Sequence, residues 1–183
     1  MSLDFQASIS RPLRLSDLVA GATRVEAELL GLADVPLPRL VIGRTWEWGR
    51  VADPGRPVGP DDLEATLVGP GIPDAGVAVI DDDGDGLVVI MPTAAGGGGL
   101  VLSPVRRPGP VVTGLALALA AALDGGGRFV DDDLQLAVAA GVEDEDPAAF
   151  IAATRLPPQN ATLAEATAGY LGQFEHLAGW HLI

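Results

Sequence analysis

The stretch that most constrains this chain is VVTGLALALAAALD, Val111–Asp124. Pro110 suits the first turn of a helix, because its φ is already set and its missing N–H is not needed there. Gly125–Gly127 supplies the stop. A helix that is apolar on nearly every side belongs inside a core and not on a surface. Its apolar run, Val111–Leu123, falls short of the roughly 20 residues that span a bilayer, so the sequence predicts a core helix and no membrane segment. A chain of 183 residues is long enough to enclose such a helix in one domain. With 48% apolar residues and a mean hydropathy of +0.32, folding is expected despite 24 glycines and 15 prolines.

Around this helix the sequence predicts a mixed architecture. Leu3–Ile9 alternates apolar and polar residues, the pattern of a half-buried strand. A helix follows with Ser16 as N-cap, an apolar stripe of Leu18, Val19, Ala22, Val25, Leu29 and Leu30, and Gly31 at its C-terminus. Arg39–Trp48 reads as one strand, Asp53–Asp62 as a Pro/Gly loop, and Leu63–Val68 as either a short helix or a strand. Val77–Met91 reads as two apolar strands around an acidic hexapeptide. Short strands are predicted at Leu100–Leu102 and Arg128–Val130. Asp146 caps a helix over Pro147–Thr154, and Thr162 with Glu165 has the spacing of a capping box for a last helix. The order of elements predicts an α+β class, a mostly antiparallel sheet packed on apolar helices. Residues 1–156 are expected to form the α+β domain, with 157–183 a helical extension packed on it.

Charge and composition exclude several kinds of chemistry. Cysteine is absent, which removes disulfides, thiolate metal sites and cysteine nucleophiles together. The formal charge is −14, from 25 acidic and 11 basic groups, and every basic group is arginine. Nucleic acid rewards cationic surfaces, so this chain is expected to repel phosphate and to attract a basic protein instead. The N-terminus lacks a positively charged region followed by an apolar core, so a cytoplasmic location is expected.

Four features carry candidate chemistry. The hexapeptide after Ile80 reads D-x-D-x-D-G, placing Asp81, Asp83, Asp85 and Gly86 as in the first half of an EF-hand loop. The twelfth position, where that loop needs a bidentate glutamate, is Pro92. An Asp-Gly pair between apolar runs signals a hairpin tip, the preferred reading. A calcium or magnesium site at Asp81, Asp83 and Asp85, in a metal-dependent enzyme or a calcium-binding domain, is the alternative, strengthened if the fold brings Asp131–Asp133 beside it. A solvated turn with Asp132 or Asp133 capping a helix is the plainer reading of that second cluster. Second, RTWEWGR would place Arg44, Trp46, Trp48 and Arg50 on one face of a strand. Tryptophan and arginine dominate binding hot spots, so this is a candidate partner-binding face, or a platform for stacking sugar rings. The plainer reading is that both tryptophans pack beneath a helix. Third, His176 and His181 are five residues apart, which does not align them on a helix. No G-x-S-x-G elbow supports a triad with Ser8, Ser10, Ser16 or Ser103. Fourth, the glycine tracts Gly96–Gly99 and Gly125–Gly127 lack the Lys-Ser/Thr of a phosphate loop, and the second follows a helix instead of opening one.

Two segments carry a resemblance. LDFQASISRPLRLSDLV, a strand followed at once by a capped helix, resembles the start of small bacterial immunity-type proteins found beside secreted toxins. GLALALAAALDGGGRFVDDD is similar to a helix, glycine stop and acidic turn in uncharacterised families of that kind. Together they cover about a fifth of the chain. The resemblance implies a cytoplasmic, non-enzymatic α+β protein that neutralises a toxin by binding it, and the acidity here would suit a basic toxin such as a nuclease. It implies no catalytic residues and no cofactor.

Overall fold

The computed structural model describes residues 3–43, 46–47, 50–51, 56–66, 76–80, 86–93, 98–142 and 146–179. The predicted core helix, α3 (Pro108–Gly125), contacts β1 (Phe5–Ser8), β7 (Gly86–Thr93), β8 (Gly99–Pro104) and β9 (Phe129–Val130) of the sheet. It also contacts α1 (Leu15–Leu30), α5 (Pro147–Thr154) and α6 (Leu163–Gly172). Enclosure from several sides is the physical reason for its composition: Val111, Leu115, Leu117, Leu119 and the alanines between them are fully buried. Each such leucine contributes about 2 kcal/mol by leaving water. By length and composition α3 could cross a membrane, but here the sheet and other helices surround it.

The main sheet is antiparallel and seven-stranded, in the order β5-β2-β6-β7-β8-β1-β9, where β2 is Arg39–Gly43, β5 Arg56–Pro57 and β6 Gly76–Ile80. The α+β architecture with an antiparallel sheet and C-terminal helices is therefore as the sequence predicts. A row of cross-strand partners, Phe5, Leu102, Ile90 and Val77, is buried in the main core. On the other face Val41, Ala78 and Ile80 form a second buried cluster. Burial on both faces explains why VAVI (77–80) and VVI (88–90) are continuous apolar runs and do not alternate.

Several local expectations hold. β6 and β7 pair as the predicted hairpin, with a register shift at Val79/Ile80. Gly31 and Gly126 end α1 and α3 in the left-handed conformation (φ 63° and 68°). Asp146 accepts from the N–H groups of Ala148 and Ala149, and Thr162 and Glu165 form the capping box.

Others change for tertiary reasons. Helix α1 begins at Leu15 after Arg14, and Ser16 lies inside its first turn instead of capping it. The Leu15 N–H goes to Ala65 O, and Arg14 bridges Thr66, so contacts from a remote segment fix the start. Helix α3 starts two residues before Pro110, because N–H groups in a first turn have no helical partner to lose. The predicted strand Arg39–Trp48 is not one strand. It ends at Gly43, and β3 (Trp46–Glu47) pairs antiparallel with β4 (Arg50–Val51) in a separate two-stranded sheet. The predicted loop Asp53–Asp62 contains β5, which pairs with β2, and the start of the short helix α2 (Pro60–Leu63). A second short helix, α4 (Leu136–Ala139), and a 3₁₀ turn at Glu175–Gly179 were not foreseen.

Candidate functional site

The topology assigns the charged motifs to opposite ends of the sheet. β2 begins at Arg39 opposite Ile80, β8 finishes at Pro104 opposite Val88, and β1 begins at Phe5 opposite Leu102. β9 runs toward that same end, with Phe129 opposite Ala7 and Val130 opposite Gln6. Asp4, which precedes β1, and Asp131–Asp133, which follow β9, therefore lie at the end where β6 stops and β7 starts. Asp81, Asp83 and Asp85 connect those two strands and are themselves outside the described residues. Between β7 and β9 lie β8 and β1, three strand spacings or about 14 Å. The two acidic runs thus share an end of the sheet but arise from well-separated strands.

Asp131 organises the described part of this end. Its carboxylate accepts from Leu134 N–H (3.0 Å) and Leu136 N–H (2.6 Å), holding a tight turn in which Gln135 adopts φ 52°. Leu134 and Leu136 are buried, so their N–H groups depend on this carboxylate. Burial pushes the Asp131 carboxyl above the usual range, partly offset by the N–H groups of Leu136, Leu134 and Gln135, while the nearby Asp133 charge raises it further. Asp133 accepts from the Asp4 N–H (2.9 Å), closing the edge of β1 where β9 stops. Asp4 in turn accepts the Ser103 hydroxyl from across the β1–β8 pair. Asp132 is exposed. Neither Asp132 nor Asp133 caps the following helix, whose N-cap position is Gln135 without a side-chain cap; Asp131 takes the Leu136 N–H from four residues before that position.

Replacing Asp131 by alanine strands two buried N–H donors at roughly 1–3 kcal/mol each, so Asp131→Ala is expected to cost about 3 kcal/mol in urea denaturation. Asp131→Asn keeps an acceptor oxygen and should cost about half as much.

The Trp/Arg segment is attached at the other end. β2 reaches that end at Gly43 opposite Gly76, and the chain re-enters the sheet with Arg56 opposite Ile42. In the small hairpin Trp46 is opposite Val51 and Glu47 opposite Arg50. Trp46 and Arg50 therefore sit on two paired strands and not on one strand face, because the chain reverses between them. Arg44 and Trp48 lie outside the described residues.

The remaining motifs resolve into structural duties. Ser8 and Ser10 hydroxyls donate to the carbonyls of Arg128, Gly125 and Gly126, and Arg11 donates to Asp124 O at the C-terminus of α3. A Cβ on Gly127 would meet the Ser8 carbonyl, so the second glycine tract is a helix stop packed on backbone and not a phosphate cradle. Of the first tract, Gly98 accepts the Ile9 N–H and Gly99 opens β8, while Gly96 and Gly97 lie outside the described residues. His176 sits in the 3₁₀ turn with Nε2 2.7 Å from Leu134 O, so Nε2 carries the proton and donates, pinning the C-terminal turn to the Asp131 turn. His181 lies outside the described residues. Pro92, at the position a calcium loop reserves for glutamate, is in β7 opposite Leu100. Among the described residues no three His, Asp or Glu side chains converge as metal ligands.

A buried carboxylate that the sequence reading passed over lies between α1 and α3. Glu26 is only 9% exposed and accepts from Thr113 Oγ1 at 3.0 Å. Burial raises its pKa to about 7, against the lowering effect of the Thr113 hydroxyl.

No protein-family model, curated protein or solved structure matches this chain.

Proposed function

We propose that this chain is a non-enzymatic binding domain whose acidic sheet end engages a basic protein partner. The observation that carries the reading is topological. In a chain of net charge −14, Asp4 and Asp131–Asp133 reach the end of the sheet at which the run Asp81–Asp85 joins β6 to β7, where they outnumber Arg39, Arg106 and Arg107 of the same end. Carboxylates that share one end of the sheet, although on strands about 14 Å apart, sum their fields there at low salt, which speeds encounter with a cation-rich protein and disfavours nucleic acid. A nuclease toxin must itself be cationic where it holds phosphate, so an anionic surface can occupy the same patch; this agrees with the resemblance to bacterial immunity-type proteins and with a cytoplasmic site of action. The segment Arg44, Trp46, Trp48 and Arg50, tied to the far end of the sheet, offers a separate contact of different chemistry.

The test is co-expression with the product of the adjacent gene. The expected result is a complex that weakens as salt rises. The combined variant Asp81→Asn, Asp83→Asn, Asp132→Asn should weaken it at least 10-fold at low salt while leaving the unfolding free energy within about 0.5 kcal/mol. Failure of every adjacent-gene product to bind would overturn the reading. The D-x-D-x-D-G spacing keeps metal binding as the alternative, and calorimetric titration separates the two. The binding reading expects no saturable heat with Ca²⁺ or Mg²⁺ at millimolar concentration, whereas heat lost in the same triple variant would establish an ion site.

A further inference from the structure

We draw no further inference here: the strongest candidate, the half-buried Met91, Val101 and Val130 on the sheet face turned away from α3, carries nothing because nothing in the structure shows what covers that apolar face.

Discussion

Gly31→Ala is expected to lower the unfolding free energy by about 4 kcal/mol, whereas Gly141→Ala, at a glycine of nearly the same conformation, should cost only about 1 kcal/mol. Both glycines have φ near +65° (63° and 67°), so an alanine Cβ brings the same backbone strain at each. Their surroundings differ. A Cβ on Gly141 meets nothing within 4 Å, but on Gly31 it would lie 2.3 Å from the backbone oxygen of Pro157. That oxygen belongs to an extended segment that satisfies the last carbonyls of α1. Leu156 N–H donates to Leu29 O, Gln159 Nε2 to Leu30 O, and Gln159 N–H to Gly31 O. Pushing the segment away loosens three hydrogen bonds worth roughly 1 kcal/mol each. It also disturbs the ion pair of Arg155 with Glu28, whose exposure makes its share small. For a domain of this size the Gly31 variant should melt about 10 °C lower. Equal losses at the two positions would mean that the segment does not hold α1.

Glu26→Gln is expected to stabilise the protein by roughly 3 kcal/mol at pH 8.5 and to leave it nearly unchanged at pH 4.5. In the unfolded chain this carboxyl ionises near its ordinary value of 4.5, while in the folded protein it holds its proton until about pH 7. Between those two values the folded state binds more protons than the unfolded state. Stability from this group is therefore fully present below pH 4.5, declines as pH rises to about 7, and is level above that. A rise of roughly 2–3 pH units at about 1.4 kcal/mol per unit gives the size of the effect. Glutamine is neutral throughout and can still accept the Thr113 hydroxyl, so the difference between variant and parent isolates this one group. Urea denaturation of both proteins across this range measures it. A difference that does not change with pH would show that Glu26 is ionised in the core or is not buried there.

Glu26 also shows where sequence reading stops short. It follows Ala22 by four residues and precedes Leu29 and Leu30, so it lies on the apolar stripe of α1. The spacing was visible; what the residue faces on α3 was not. Features set by short-range chemistry were legible: the all-round apolarity of α3, the Asp146 cap, the Thr162–Glu165 box, and the β6–β7 hairpin. Features set by remote partners were not. Ser16 has the chemistry of a cap, yet the start of α1 is fixed by Ala65 and Thr66. The run from Arg39 to Trp48 is strand-forming apart from Gly43, where β2 ends, but its division between two sheets also depends on β5 returning beside β2. In the acidic turn, three aspartates in a row are equivalent by composition. Only the fold distinguishes Asp131, which holds the turn, from Asp133, which closes the edge of β1, and from exposed Asp132.

The separation of the two charged motifs also sharpens the binding hypothesis. In the sequence, the acidic runs and RTWEWGR could have formed one mixed surface. The strand order instead attaches the segments that carry them at opposite ends of the main sheet. Hydrogen exchange of the complex with the adjacent-gene product distinguishes the ends most directly. Slowed exchange is expected in residues 81–86 and in Asp131–Gln135 on binding, with residues 44–51 unchanged. Protection confined to residues 44–51, with the acidic end exchanging as in the free protein, would contradict that expectation.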